Sequence, residues 1–483
     1  MKEILLLFIL CPFFLFGQTQ IGLDINGKSK YSYLGKSIKL NLDGSKIVII
    51  GSVLKDNNLY SSYASIYKNE NGNWVQIGQD IYNNYYKSAS STSTISLNLN
   101  GTIVAFVNSS DVNVYKNENG TLSKIGETLE IDINLNYIGI PLVSFNEDGS
   151  LLAIRRFYKE GVGSSSIIKG IIRIYKNNND NWVQVGNDLY GDSDVLNTGF
   201  NVNFNKEGSL VAISAMKNIN QGQLDLVHVN VYINKNNQWK QVGESININA
   251  DYPLNSSLSI SGDGSTIAIG AYNSLDKPRT GYVHVFENTQ NEWIIKGNVI
   301  NGESSHDHFG SSISLNSDGS IIAIGGKYND ENGINSGHTR IYKYNDNWNQ
   351  VGVDINGDLS QDEFGSFVSL SSDGSKVAIS ALKNDSNGTH SGQVKVYDLN
   401  AILSSDSFVL SKFTIYPNPV KNKFTVLVKD NLILEKIYIY NSLGQFIKSS
   451  KKSTMNTSNL KSGVYFLQVE TNKGKTRKKL VIE

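Results

Sequence analysis

The side chains best placed for chemistry are two short pairs that stand just before two copies of a Phe-Gly motif. Asp307 with His308 forms one pair, and Asp362 with Glu363 forms the other. Two carboxylates held a few ångströms apart can divide acid and base roles between them on a glycan. Here the partners are adjacent in sequence and can point apart, so we interpret these four residues as ligand-face candidates whose simplest role is solvated loop charge.

Two other patterns suit a metal ion. His306 and His308 are spaced to share one, but no third ligand is evident in the sequence. Two Asn-Asp-x-Asn-Gly stretches carry oxygen side chains of the kind that Ca²⁺ prefers, at Asp330, Asn332, Asp385 and Asn387. Turn chemistry explains both stretches as well. We therefore assign no cofactor and no metal, and keep calcium as the alternative.

A repeat organises all of these residues. A short turn of the Asp-Gly-Ser type recurs seven times, with glycines at Gly44, Gly101, Gly149, Gly208, Gly264, Gly319 and Gly374. The glycines are spaced by 57, 48, 59, 56, 55 and 55 residues. A regular period of this size is typical of stacked supersecondary units.

Each unit predicts four short strands, here named A to D. An apolar strand A leads into the Asp-Gly turn, which favours a two-residue hairpin, and a continuously apolar strand B follows. Strand C has the form of VxVY, and strand D starts at a Trp-x-Gln-x-Gly pattern that takes in every tryptophan of the chain. Four-stranded units that cannot bury both faces alone predict a β-propeller of seven blades. The tryptophans are then expected in the packing of each blade.

The two ends of the repeat region complete one another. Gln20–Gly27 copies Gln350–Gly357, whereas the seventh unit stops after its strand C. We predict that the N-terminal segment supplies strand D of the last blade, which closes the ring and removes an exposed sheet edge. The long D–A and B–C loops then share one face, where a site is expected.

The best-preserved units, with FGxSxSLSxDG, NDxNG and WxQxG, resemble the FG-GAP-like and WD40-like propeller repeats of bacterial surface proteins. The resemblance covers residues 250–400 closely and the second to fourth units loosely. It implies binding or adhesion more often than catalysis. The sequence shows no phosphate loop, nucleophile elbow or HExxH motif, so we expect no enzyme activity.

The chain ends carry targeting features. Residues 1–17 have a lysine and then an apolar run, as in a secretory signal peptide, and include Cys11, the only cysteine. No other stretch is apolar enough to span a membrane. The expected order is signal peptide 1–17, propeller 18–400, polar linker 401–412 and a small Ig-like β-sandwich at 413–483.

The last segment resembles the C-terminal sorting domain of type IX secretion substrates. The motif residues are Tyr416, Pro417, Asn418, Pro419, Gly444, Gly463 and Tyr465. The resemblance implies a bacterium of the Bacteroidetes, the type IX machinery as partner, and a protein secreted or attached to the outer surface.

Charge supports this division of roles. Residues 413–483 hold 13 Lys and Arg against 4 Asp and Glu in a chain that is neutral overall, with 44 of each. The remainder is therefore acidic, which argues against nucleic acid as a partner. We expect a monomeric binding or adhesion protein for an extracellular glycan or protein, with an enzyme acting on polysaccharide or protein as the alternative.

Overall fold

The computed structural model describes residues 18–483 except 55–59, 84–94, 109–110, 130–136, 161–166, 191–194, 197–200, 221–222, 250–255, 272–279, 405–412, 429–432, 442–444 and 472–473. The predicted signal peptide with Cys11, most of the predicted linker, and Gly444 of the sorting motif lie outside the described residues. The chain divides into two compact units, one of residues 20–398 and one that contains residues 399–483.

The larger unit is built from antiparallel sheets that follow the sequence repeat. The chain enters through β1 (Thr19–Gln20) and β2 (Ile25–Asn26). Sheet 1 has β3 (Ser37–Leu40), β4 (Lys46–Leu54), β5 (Tyr60–Glu70), β6 (Asn73–Gln76) and β7 (Ile81–Tyr82). Sheet 2 has β8 (Ile95–Leu97), β9 (Ile103–Asn108), β10 (Asp111–Glu118) and β11 (Thr121–Lys124). Sheet 3 has β12 (Tyr137–Phe145), β13 (Leu151–Glu160), β14 (Ile167–Asn178), β15 (Asn181–Gln184) and β16 (Leu189–Tyr190).

Four further sheets complete the unit. Sheet 4 has β17 (Val195–Leu196), β18 (Val202–Phe204), β19 (Leu210–Asn220), β20 (Gln223–Lys235), β21 (Gln238–Gln241) and β22 (Ile246–Asn249). Sheet 5 has β23 (Ser257–Ile260), β24 (Thr266–Ala271), β25 (Tyr282–Thr289), β26 (Glu292–Ile295) and β27 (Ile300–Asn301). Sheet 6 has β28 (Phe309–Leu315), β29 (Ile321–Gly326), β30 (His338–Asn345) and β31 (Asn347–Asn356). Sheet 7 has β32 (Phe364–Leu370), β33 (Lys376–Ala381) and β34 (Gln393–Asp398), joined by β1 and β2.

The sheets are arranged in a ring. Each packs against the next, and sheet 7 packs against sheet 1 through strands A of both. Apolar side chains fill the layers between neighbours; Ile47, Ile49, Ala378 and Val394, for example, form one buried cluster between sheets 7 and 1. The predicted all-β fold and β-propeller architecture are confirmed, and among the described residues the ring holds seven sheets.

The predicted closure by the N-terminal segment is confirmed. Ile25 lies opposite Val394 in an antiparallel pair, and the Ile21 amide donates to the Val396 carbonyl at 2.7 Å. The indole N–H of Trp74 in sheet 1 also donates to the Ile21 carbonyl, at 3.0 Å. Trp348 makes the equivalent contact from sheet 6 to the Lys296 carbonyl in sheet 5, at 2.8 Å. Trp239 and Trp293 make the same contact to the Val185 and Val242 carbonyls, whereas the indole N–H of Trp182 has no hydrogen-bond partner among the described residues.

The prediction of two-residue A–B hairpins is wrong. In sheet 6 the strands end at Leu315 and resume at Ile321, which leaves five residues between them. The Asn316 side-chain oxygen accepts from the amides of Ser320 and Ile321 at 3.0 and 2.9 Å. Because this side chain binds the backbone inside the turn, a longer loop closes as firmly as a two-residue one.

The smaller unit begins with α1 (Asn400–Ser404), which occupies the start of the predicted linker. One sheet holds β35 (Phe413–Tyr416), β36 (Lys423–Val428) and β39 (Thr454–Asn456), and the other holds β37 (Leu434–Tyr440), β38 (Phe446–Ser450), β40 (Gly463–Thr471) and β41 (Gly474–Ile482). Phe413, Phe424, Ile437 and Leu467 are fully buried in one apolar core that both sheets share. Two sheets around such a core form the expected β-sandwich. No described helix is both long and apolar enough to cross a membrane.

Candidate functional site

The D–A loops before sheets 6, 7 and 1 and the B–C loops of sheets 6 and 7 gather at one end of these sheets. We name this surface, formed by residues 27–35, 302–308, 327–337, 357–363 and 382–392, the loop face. Its loops are tied together across the repeat: the Asn332 amide group donates to the Gly357 carbonyl at 3.1 Å, and that of Asn387 donates to Gly27 at 3.0 Å. These contacts hold the loops in fixed positions.

The aspartates predicted as solvated loop charges are buried, so that interpretation is wrong for them. Asp307 accepts from the Asn329 side-chain amide at 3.0 Å, and Asp362 accepts from that of Asn384 at 3.1 Å. Each contact joins a D–A loop to the B–C loop beside it. Burial raises the pKa of both carboxyl groups. The two aspartates therefore support the loop face from beneath.

Their sequence neighbours point elsewhere. The His308 ring lies against the Tyr328 ring, with centroids 4.7 Å apart. Glu363 is buried and forms an ion pair with Lys383 at 2.7 Å. Neither predicted pair brings its two side chains to one point, so the pairs do not form the convergent carboxylates that glycoside hydrolysis requires.

The four calcium candidates take part in turn contacts. Asp330 accepts from the Asn335 amide and Asp385 from the His390 amide, both at 2.7 Å. Asn332 and Asn387 make the loop-to-loop contacts described above. Together with the Asx turns in which Asn329 and Asn384 accept from the amides two residues on, these contacts shape the two B–C loops.

The backbone of the D–A loops is the same in three consecutive loops, whereas the side chains differ. Two positions in each loop adopt positive φ without being glycine, and they hold Tyr31 and Tyr33, His306 and His308, and Gln361 and Glu363. Such conformations are costly for ordinary residues and concentrate at functional sites. The same loop backbone therefore carries two aromatic groups in one copy, two imidazoles in another, and an amide with a carboxylate in the third.

Apolar and aromatic groups complete the loop face. Ile334 and Leu359 are 65% and 60% exposed, and the Gln361 amide donates to the Ile334 carbonyl at 2.7 Å, which fixes their two loops together. On the sheet 7–sheet 1 side, the His390 ring lies 5.5 Å from the Tyr33 ring and 6.0 Å from the Tyr31 ring. Exposed apolar groups rimmed by polar ones are typical of binding surfaces.

Sequence reasoning missed a polar pair in strand D. Four residues after the repeated glutamine stands an aspartate, and the glutamine amide donates to it: Gln20 to Asp24 at 2.7 Å, Gln76 to Asp80 at 2.7 Å, and Gln350 to Asp354 at 2.6 Å. The signal was the spacing Gln-x-Gly-x-Asp, of which only the Gln and Gly were used. This aspartate anchors a charged residue of strand C at the loop-face end of several sheets.

In sheet 6 the pair is part of a larger charged cluster. The Arg340 guanidinium donates to Asp354 at 2.6 and 2.8 Å and also contacts Glu303, from the preceding loop, at 2.5 Å. His338 and Glu331 lie beside them. Burial acts to raise the pKa of Asp354, but the neighbouring His338, Arg340 and Gln350 side chains outweigh it and hold this pKa well below its usual range.

A cavity lies on the axis of the ring, away from the loop face. The cavity, of about 180 Å³, is lined by strand A or the adjoining turn of all seven sheets. Serine hydroxyls join these inner strands, as when Ser314 accepts from the Leu370 amide and Ser369 from the Leu40 amide, both at 3.0 Å. Glu147 lines the cavity with its pKa raised by burial. The cavity ends at the A–B turns, on the side of the ring opposite to the loop face.

The smaller unit can be compared with known families. Residues 414–483 match the family model of the secretion system C-terminal sorting domain. The segment is a type IX sorting domain. It directs the protein by type IX secretion to the cell surface or the extracellular space, as the sequence predicted. Within it, Asn418 accepts from the Val481 amide at 2.8 Å, and the Tyr465 hydroxyl donates to the Lys461 carbonyl at 2.9 Å, so motif residues fix the sandwich.

Comparison with curated proteins finds no match. Among solved structures, the β-propeller domain of the trilobed protease from Pyrococcus furiosus is 12% identical, with 73% of this chain and 90% of that chain covered and a TM-score of 0.41. Sqt1 from Chaetomium thermophilum is 11% identical, covers 79% and 90%, and gives 0.44. A putative 6-phosphogluconolactonase from Bacteroides uniformis is 13% identical, covers 67% and 86%, and gives 0.42. Such values carry nothing about ligand or activity.

Proposed function

We propose that the propeller is a binding or adhesion module that acts outside the cell, and that it holds an extracellular glycan or protein on the loop face. The observation that carries this proposal is the constant backbone and changing side chains of the three D–A loops. Function on a rigid scaffold resides in such loops, because their side chains can differ while the sheets stay the same.

Two further features support the proposal. The sorting domain delivers the chain to the surface or beyond it, where a ligand of this class is available. Ile334 and Leu359 offer apolar contact area, and the tyrosines at 31 and 33 offer flat rings of the kind that stack on sugars or pack on side chains. The buried loop-to-loop contacts of Asp307 and Asp362 keep this surface ordered before a ligand arrives, which lowers the entropic cost of binding.

The experiment is a binding screen of the full chain, secreted by a type IX-competent host, against a glycan array and a panel of surface and matrix proteins. The test variant is Ile334→Asp with Leu359→Asp, and the matched control is Leu42→Asp, an exposed residue of an A–B turn on the opposite side of the ring. We expect the double variant to lose binding by about tenfold or more, since charge replaces apolar contact area, while the control binds as the parent does.

Equal binding by the double variant would place the ligand elsewhere. Conversion of any bound glycan or protein into products would favour the enzyme alternative. The expectation of a monomer is read from the same samples by light scattering.

A further inference from the structure

Four side chains with metal-binding atoms meet at the loop-face end of sheet 6. They are Glu303, Glu331, His338 and Asp354, and one ligand atom of each lies within 4.8 Å of the others. They come from four places in the fold: the D–A loop before sheet 6, its B–C loop, the first residue of β30, and β31. None of them is among the predicted calcium or His-x-His ligands, although Glu331 is the variable position of the first Asn-Asp-x-Asn-Gly stretch.

The imidazole in this group is buried without a hydrogen bond. His338 is 0% exposed, and neither ring nitrogen has a hydrogen-bond partner among the described residues. Its Nδ1 faces Asp354 Oδ2 at 3.5 Å. Directly opposite in the strand pair, the buried Asn356 Oδ1 also lacks a partner in the described part of the chain. Burying a polar atom without a partner is costly, and a bound ion can remove that cost by taking the place of the partner.

The charges of the cluster favour a cation. Three carboxylates face a single guanidinium, that of Arg340, which leaves two negative charges uncompensated when His338 is neutral. Glu331 Oε2 accepts from the Asn356 side-chain amide at 3.1 Å, which turns this carboxylate toward the cluster. A divalent ion would balance the charge and supply the partner that the imidazole lacks.

Sheet 7 shows the same positions without a site. Fifty-five residues further along, Glu303, Glu331 and His338 are replaced by Asp358, Ser386 and Gln393. The Gln393 amide donates to Asp24 Oδ2 at 3.1 Å and to Asn26 Oδ1 at 3.0 Å. In sheet 6 a Cβ on Gly326 would come within 2.7 Å of His338 Nε2, and the equivalent residue in sheet 7 is Ala381. Of these two sheets, only sheet 6 therefore has a glycine opposite a ring, as sheet 1 has in Gly51 opposite Tyr63.

We propose that Glu303, Glu331, His338 and Asp354 bind one divalent transition-metal ion, and that zinc is the ion they fit best. One imidazole nitrogen with carboxylate oxygens suits Zn²⁺, whereas Ca²⁺ prefers oxygen ligands alone. The ion would tie the loop after sheet 5 to strands C and D of sheet 6. Arg340 shares two of the carboxylates with the ion, so it competes with the metal and weakens its binding.

The test is zinc titration of the full chain after removal of metal by chelation, with a chromophoric chelator as competitor and the melting temperature as second readout. We expect one zinc per chain and a higher melting temperature with zinc, but no response to the same concentration of calcium. His338→Gln, which copies the residue in sheet 7, should bind zinc about tenfold or more weakly and still fold. Arg340→Gln should bind it more tightly.

The matched control is the double variant His306→Gln with His308→Gln, which removes the other imidazole pair of this region and should bind zinc as the parent does. Three results would overturn the proposal: no zinc retained by the parent, equal binding by His338→Gln, or loss of binding in the control. Circular dichroism of each metal-free variant separates loss of the site from loss of the fold.

Discussion

Sheets 6 and 7 have nearly the same sequence and differ mainly at the loop-face end of their outer strands. Both have the Phe-Gly start of strand A, the buried aspartate that holds the B–C loop, and the Gln-Asp pair of strand D. In sheet 7 the polar groups beside that pair satisfy one another through Gln393 and Lys395. In sheet 6 these places hold one extra carboxylate, that of Glu331, and a histidine that no described residue hydrogen-bonds.

The difference shows how a repeat can carry function. Positions that set the backbone stay the same, because a change there would alter the packing of two sheets at once. Positions at the ends of strands C and D are released from that constraint and can differ between copies. A residue that breaks the repeat at such a position, without a packing reason, indicates chemistry.

Sheets 6 and 7 also differ in the origin of their outer strand, because only sheet 7 takes it from the far end of the chain. Removal of that strand should have the largest effect. Deletion of Gln18–Gly27 removes the partners of Val394 and Val396 and exposes a sheet edge. We expect the melting temperature to fall by about 10 °C or more, measured by calorimetry. Replacement of the same ten residues by a copy of Trp348–Gly357 is the control and should restore the melt. An unchanged melt after the deletion would contradict closure.

The second largest effect on stability should come from a backbone contact between sheet 6 and sheet 7. Gly337 has φ of +78° and a Cβ there would lie 2.0 Å from the Phe364 carbonyl oxygen of the next sheet. Gly337→Ala should lower the free energy of unfolding by about 3 kcal/mol or more, because two sheets must separate. Gly72→Ala is the control, since its φ is +87° but nothing lies within 4 Å. Its cost should be only the conformational one of about 1–2 kcal/mol, measured by urea denaturation.

Much of the fold could be predicted because its determinants are local and repeated. Residues close together in the sequence determine the Asp-Gly turns, the apolar strands B and the Trp-x-Gln-x-Gly starts of strand D. The constant period of these features predicts the ring. The match between Gln20–Gly27 and Gln350–Gly357 was enough to predict closure. The sorting domain was predictable from its motifs for the same reason.

The site was less predictable, because it depends on which loops meet. Asp307 and Asp362 look like exposed loop charges until the amide of a B–C loop residue 22 positions later is seen to cover each one. His338 stands in an ordinary strand pattern, and its role appears only when Glu303 and Asp354 are brought beside it. The usable signal was the substitution of His338 for Gln393, together with Gly326 for Ala381, between two otherwise similar copies.

A smaller effect should follow from exchanging these residues between the two sheets in metal-free protein. Gln393→His removes two hydrogen bonds and places a ring against Ala381, so we expect a loss of about 1–3 kcal/mol in the free energy of unfolding. His338→Gln brings an amide to a position with free acceptors and should change stability by less than about 1 kcal/mol. Urea denaturation of both variants checks the asymmetry. Equal losses in the free energy of unfolding would mean that positions 338 and 393 do not differ in the hydrogen bonds that their surroundings offer.

The smallest effect tests the buried aspartate that both sheets share, through its pH dependence. Burial raises the pKa of Asp362 in the folded chain above its unfolded value of about 3.9. The folded state therefore binds this proton more tightly, and the group's contribution to stability is fully present at low pH and is lost as the pH rises through the folded pKa. Asp362→Asn keeps an oxygen for Asn384 but does not titrate, so its stability relative to the parent should improve from pH 4 to pH 7.

Asp373→Asn is the control of opposite sign: burial acts to raise the pKa of Asp373, but hydrogen bonds from Ser371 and Ser375 outweigh it and lower that pKa. The stability of Asp373→Asn relative to the parent should therefore worsen from pH 4 to pH 7 in urea denaturation. If the relative stabilities of the two variants changed with pH in the same direction, burial of Asp362 would not disfavour its charged form.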